Sequence, residues 1–133
     1  MSASSRPVAN IILVEDDIDL AAGWTELFEL LDFKATSFIR GLPAIADSAA
    51  IRAGNILISD YYLPDINGIE LIRAARLINP TINCILLTGS RDPGIVESVA
   101  KIPDCTLIYK PVNIDTIEDR VNQILGQLAN EAW

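Results

Sequence analysis

The stretch Ile56-Leu57-Ile58-Ser59-Asp60 is a short apolar run that stops on a carboxylate. Tyr61 to Asn67 follow as a loop, punctuated by Pro64 and closed by Gly68. Leu71, Ile72, Ala75 and Ile78 then recur at helical spacing until Pro80 stops the pattern. A strand that is apolar on both faces, followed by an amphipathic helix, is the unit of a parallel sheet covered by helices on both sides.

The unit repeats in both directions. Upstream, Ile11-Ile12-Leu13-Val14 ends in Glu15-Asp16-Asp17, and Leu20, Ala21, Trp24, Leu27, Phe28 and Leu31 mark one helical face. Phe33 to Phe38 is a weaker strand, and Leu42 to Ile51 an Ala-rich helix with Pro43 in its first turn. Downstream, Cys84-Ile85-Leu86-Leu87-Thr88 is a strand, and Asp92-Pro93 caps and opens a helix through Ile95, Val96 and Val99. Cys105-Thr106-Leu107-Ile108-Tyr109 is the last strand. Asn113 then caps a helix carrying Ile114, Ile117, Val121, Ile124, Leu125 and Leu128. Alternation of strand and helix predicts a doubly wound α/β fold of the flavodoxin-like kind. Right-handed crossovers favour the strand order 2-1-3-4-5, with ligands beyond the C-terminal ends of strands 1 and 3.

A length of 133 residues predicts one domain, over residues 10–129, between a short lead-in (1–9) and a tail (130–133). No output domain is expected in this chain. Ten Lys+Arg against 18 Asp+Glu give a net charge of −8, which argues against direct binding of a nucleic-acid backbone. No apolar run approaches the roughly 20 residues of a membrane helix, and the N-terminus lacks a secretory signal, so a cytoplasmic location is the default. Two Cys, no His and no C-x-x-C pattern exclude the usual structural zinc sites. Cys84 and Cys105 lie in apolar runs and read as buried thiols.

The strand ends carry the chemistry. Strand 1 delivers Glu15, Asp16 and Asp17, strand 3 Asp60, strand 4 Thr88 and strand 5 Lys110. Singly, each has an ordinary reading: a helix-dipole cluster, a turn residue, a strand-end hydroxyl, a surface charge. Together they converge at one end of the proposed sheet. Crowded carboxylates repel, and Lys110 offsets only one charge. Oxygen ligands without His or Cys suit Mg²⁺. These residues therefore predict a Mg²⁺ site between Asp16 and Asp60, with Glu15 holding a metal-bound water. Thr88 and Lys110 then become donors to a phosphoryl group, and Asp60 an acceptor able to form an acyl phosphate.

At this point the sequence resembles the receiver domain of two-component response regulators, from about Asn10 to Leu128. Ile11–Asp17 resembles the family's first strand with its acidic pair. Asp60-Tyr61-Tyr62-Leu63-Pro64-Asp65-Ile66-Asn67-Gly68 resembles its phospho-acceptor loop, and Thr88-Gly89 and Lys110-Pro111 resemble its hydroxyl and Lys-Pro positions. The resemblance implies Asp60 as phospho-acceptor, Asp16 and Asp60 as direct Mg²⁺ ligands and Glu15 as an outer ligand. It adds the backbone carbonyl of Tyr62 as a further ligand. It implies a sensor histidine kinase or phosphotransfer protein as donor, output by protein–protein contact, and a monomer or weak dimer. On this reading the chain is not an enzyme beyond its own phosphorylation and dephosphorylation. It departs from the family pattern at Leu107, where an aromatic usually stands, and at Gly89, Tyr62 and Val112. Two other readings compete. One is a receiver-fold interaction module that signals without phosphorylation. The other is a Mg²⁺-dependent phosphatase with an Asp nucleophile, which lacks its general acid because Tyr62 holds that position.

Overall fold

The computed structural model describes residues 9–131, with side chains through residue 127. Most of the expected lead-in, the end of the expected tail and the side chain of Leu128 lie outside the described residues. The elements run β1 (Asn10–Val14), α1 (Ile18–Leu30), β2 (Lys34–Phe38), α2 (Gly41–Ala46), α3 (Ser48–Ala53) and β3 (Ile56–Asp60). They continue through α4 (Gly68–Ile78), β4 (Asn83–Thr88), α5 (Pro93–Ala100), β5 (Cys105–Tyr109) and α6 (Ile114–Glu131). The strands form one parallel sheet in the order β2-β1-β3-β4-β5, as the sequence predicts.

The continuous apolar runs divide by strand alternation between two cores. Ile12, Val14, Leu57, Cys84 and Leu86 face one side and pack with Leu71, Ile72 and Ala75 of α4 and Ile95 and Val99 of α5. Ile11, Leu13, Ile56, Ile58, Ile85 and Leu87 face the other, against Ala21 and Phe28 of α1 and Ile117, Val121 and Ile124 of α6. Both faces of β1, β3 and β4 are thereby dry. Their ends are held rigidly where the carboxylates emerge.

The helix expected over Leu42–Ile51 is two helices, α2 and α3, broken at Asp47. The Asp47 carboxylate accepts the Ala50 N–H at 3.1 Å and caps α3. Apolar periodicity through the Ala-rich stretch hid this second start, although Asp-Ser is itself a cap signature. The face assigned to α1 is also only partly buried. Ala21 and Phe28 are in the core, but Leu20 and Leu27 remain about two-fifths exposed. With Trp24, Val112 and Ile114 they line an open groove.

Gly68 positions α4 under β3. A Cβ there would sit 2.4 Å from Leu86 Cδ1 and 2.5 Å from the Asp60 carbonyl oxygen. Its N–H donates to the Tyr61 carbonyl at 2.7 Å, which closes the loop. The Asp60 carbonyl is backbone and cannot swing aside. Gly68→Ala is therefore expected to cost about 1–3 kcal/mol in urea unfolding, the range for overpacking. Gly126→Ala, where a Cβ meets nothing within 4 Å, is expected to cost nothing.

Candidate functional site

β1 and β3 are neighbours, paired through Val14 and Ser59, so the residues just past these positions emerge side by side. Carboxylate oxygens of Glu15, Asp16 and Asp60 lie within 4.8 Å of one another. Glu15 and Asp60 are 5% and 4% exposed, and Asp16 opens to solvent. Beneath them is a cavity of about 10 Å³ lined mainly by Leu13, Trp24, Phe28, Ile58, Leu87 and Ile117. That is little more than room for one water. Two of the acids thus rest on an apolar floor.

Lys110 follows β5, two strands from β3, and reaches across β4. Its Nζ lies 2.8 Å from Asp60 Oδ1. The approach falls outside hydrogen-bonding angles, so Oδ1 is buried beside a cation yet has no aligned donor among the described residues. The Lys110 N–H donates to the Thr88 carbonyl at 2.9 Å, which ties the ends of β4 and β5 together.

Burial, then the neighbouring Asp60 carboxylate, push the Glu15 carboxyl above its usual range. The Asp17 N–H, donating to Glu15 Oε2 at 3.1 Å, opposes this in part. Asp16 is raised by desolvation and then by Glu15, with Lys110 pulling the other way. Burial pushes the Lys110 ammonium down, but Asp60, Glu15 and Asp16 outweigh it and hold Lys110 above its ordinary value. One ammonium faces three carboxylates, so the site keeps unmet negative charge.

Asp17 leaves this cluster. Its Oδ1 accepts the Leu20 N–H at 3.1 Å and caps α1. The ordinary reading of the acidic triplet therefore holds for its third member, while the first two converge on Asp60. Thr88 is buried at the end of β4, and its Oγ1 accepts the Ser90 N–H at 3.0 Å. Tyr62 turns outward, 64% exposed, with its ring edge-on to Tyr61 at 4.8 Å between centres. Leu107 packs against the core on the α4–α5 side. Both cysteines are free, and burial pushes their thiols up to about 12 for Cys84 and about 11 for Cys105. Cys84 is buried as expected, whereas Cys105 is only partly so.

Asp65 was not distinguishable in the sequence from an ordinary loop residue. Its carboxylate accepts N–H groups of Gly41 at 3.0 Å, Leu42 at 2.7 Å and Ile66 at 2.9 Å, and so fastens the loop after β3 to the start of α2. Burial is the largest single influence and opposes ionisation, but the backbone donors together outweigh it and hold Asp65 below its ordinary 3.8. A carboxylate depressed on folding stabilises above its unfolded value and loses that contribution as pH falls through the folded one. Asp65→Ala is expected to cost about 0.5–2 kcal/mol at neutral pH, as for a lost helix cap. The gap from wild type in urea midpoints should close as pH drops below 3.8. A gap that is constant with pH would contradict the assignment.

The donor set consists of hard oxygens, two of the three acids are buried, and Asp60 Oδ1 lacks an aligned donor. These features fit a small divalent cation that takes carboxylates together with waters, as Mg²⁺ does.

Residues 11–122 match the family described as the response regulator receiver domain. The C4-dicarboxylate transport transcriptional regulatory protein DctD of Rhizobium meliloti is 34% identical over 108 residues. The match takes in 81% of this chain and 23% of that protein, so the chain spans under a quarter of that relative's length. Sporulation initiation phosphotransferase F of Bacillus subtilis is 23% identical over 120 residues, 90% of this chain and 96% of that one. Among solved structures, chemotaxis protein CheY4 of Vibrio cholerae superposes with a TM-score of 0.79 at 19% identity, covering 89% of this chain and 99% of that one.

Proposed function

The chain belongs to the response regulator receiver domain family, and on that premise we propose that it is a phospho-acceptor signalling switch of a two-component system. Asp60 is the acceptor. The observation that carries this reading is a buried Asp60 carboxylate, grouped with Glu15 and Asp16 and placed 2.8 Å from the Lys110 ammonium. The receiver unit covers residues 10–129. Its donor is the phosphohistidine of a sensor kinase or phosphotransfer protein, and its output is contact with a downstream target. Among the described residues no helix is long and apolar enough to cross a membrane, and we place the activity in the cytoplasm.

In the transfer, an Asp60 carboxylate oxygen attacks phosphorus, and the bond from phosphorus to the donor breaks with its electron pair leaving on the donor. Asp16, Asp60 and the Tyr62 carbonyl would hold Mg²⁺, with Glu15 acting through a water, and the ion would supply neutralisation of the phosphoryl oxygens. Lys110 stays charged and moves its pairing from the carboxylate to a phosphoryl oxygen. Thr88 donates its hydroxyl proton in a hydrogen bond to another. Gly89 is exposed, and nothing lies within 4 Å of where its Cβ would be, which leaves an open approach for the donor. No general acid stands two residues after Asp60, so the acyl phosphate is the product rather than a turnover intermediate on outside substrates.

Acetyl phosphate with Mg²⁺ is expected to add one phosphoryl group to the intact protein, read by mass. An unmodified mass would favour the interaction module. Sustained phosphate release from an aryl phosphate would favour the phosphatase.

A further inference from the structure

A second group of chemically distinctive side chains lies at the end of the sheet opposite the carboxylates. Cys84 is the second residue of β4 and Cys105 the first of β5. The two are register partners in the parallel pairing, so their side chains leave the same face of the sheet. Both pack into the core on the α4–α5 side. Arg76, in the last turn of α4, is strapped across this end of the pair. Its Nε donates to the Ile82 carbonyl at 2.7 Å and its Nη2 to the Asp104 carbonyl at 3.0 Å. Burial holds the two thiols up to about 12 and about 11, and the fixed guanidinium pulls both back toward the thiolate. Cys84 is fully buried, whereas Cys105 is only partly so, which leaves a way in from the Cys105 side.

Spacing decides between two uses of such a pair. Neighbouring strands lie roughly 4.7–4.9 Å apart, and register partners on one face carry about that separation to their side chains. A disulfide needs Cβ atoms about 3.5–4.5 Å apart and would draw β4 and β5 together against a packed core. Metal–thiolate bonds are about 2.3 Å long, so an ion midway between two sulfurs holds them about 4.6 Å apart, close to the strand spacing. Structural zinc takes four ligands, and only two sulfurs are present here. Soft thiolates select monovalent copper, which accepts two. Two thiolates and one Cu⁺ carry one net negative charge, and Arg76 stands beside them to offset it.

We propose that Cys84 and Cys105 form a binding site for a soft monovalent ion, Cu⁺, bridged between β4 and β5 with Arg76 as its counter-charge. Both thiols are protonated while the site is empty. Binding replaces two S–H bonds with two S–Cu bonds and releases two protons to solvent. Copper stays in its +1 state, and no electron moves. The site lies at the far end of the sheet from Asp60 and does not rest on the reading of Asp60 as an acceptor.

The test uses the full chain under anaerobic conditions, with Cu⁺ supplied as its coloured ferrozine complex. The background is low, because the chain has two Cys, one Met and no His. Wild type is expected to withdraw one Cu⁺ per chain, counted by loss of colour and by native mass, and to gain thiolate-to-copper absorption in the ultraviolet. Its unfolding midpoint should rise as the ion is added. Cys84→Ala and Cys105→Ala should each lose both the retained ion and the rise. Cys105 is the partly exposed member, so Cys105→Ala keeps the test valid if Cys84→Ala does not fold. Arg76→Gln should weaken retention by about tenfold, the effect of one nearby charge. No withdrawal of Cu⁺ by wild type overturns the site. So does retention by Cys105→Ala equal to wild type, or one ion shared between two chains. An Arg76→Gln affinity equal to wild type overturns the counter-charge. Rapid loss of two mass units on peroxide treatment, a disulfide between the pair, overturns the spacing on which the choice of an ion rests.

Discussion

Asp60→Asn is expected to fold normally and to take up no phosphoryl group from acetyl phosphate and Mg²⁺, under conditions in which wild type takes up one. The substitution keeps the shape of the side chain and replaces the attacking carboxylate with an amide that cannot form an acyl phosphate. It also removes one of three mutually repelling carboxylates, so loss of uptake should not come with loss of the fold. Urea unfolding separates the two effects. Lys110→Met is the companion test. A single donor enclosed in a dry site is worth on the order of 10²–10³ in rate. The Lys110 side chain is 40% exposed, which screens it. Its loss should therefore slow uptake by on the order of tenfold to a hundredfold without abolishing it. Uptake by Asp60→Asn at the wild-type rate would remove the acceptor from the account.

The second large effect is on stability. If Glu15, Asp16 and Asp60 gather a divalent ion, Mg²⁺ binds the folded chain and has no assembled site in the unfolded one. At a free Mg²⁺ concentration 100 times the dissociation constant, that linkage contributes about 2.7 kcal/mol. For a domain of this size it raises the unfolding midpoint on the order of 10 °C. Asp16→Asn is expected to lose most of the Mg²⁺-dependent shift. Without Mg²⁺ it should be at least as stable as wild type, because burial and Glu15 already disfavour the Asp16 charge. This combination distinguishes a lost ligand from a damaged fold. A thermal shift of equal size in both proteins would place the ion elsewhere.

The sheet was legible because its signal is local and repeated. Runs such as Ile56-Leu57-Ile58 and Ile85-Leu86-Leu87 need no partner to be recognised as strands buried on both faces, and handedness then restricts their order. The caps at Asp92 and Asn113 were legible for the same reason, since each is read within three residues of the N–H it satisfies. Convergence of Glu15, Asp16, Asp60 and Lys110 followed from the strand order, because each lies at or just past the C-terminal end of its strand. The break at Asp47 was hidden by apolar periodicity that runs through it. The Asp65 clamp was not legible, since its partners are 24 and 23 residues away, and although a helix start was expected at Leu42 no local pattern ties it to a carboxylate in the loop after β3. Arg91 over Tyr109 escaped for a related reason: a cation and a ring on separate elements carry no shared pattern. The departure at Leu107 was visible in the sequence. That Tyr109 pairs in register with Thr88 and carries Arg91 on its ring was visible only in three dimensions.

The claim that Asp60 itself becomes the acyl phosphate is tested most directly by trapping that bond. Borohydride reduces an aspartyl phosphate to homoserine, which peptide sequencing by mass locates. After treatment with acetyl phosphate and Mg²⁺, homoserine is expected at position 60 and at no other carboxylate. Homoserine at Asp16 or another aspartate, 5-hydroxynorvaline at Glu15 or another glutamate, phosphate retained on the Thr88 hydroxyl, or a chain without modification would contradict it.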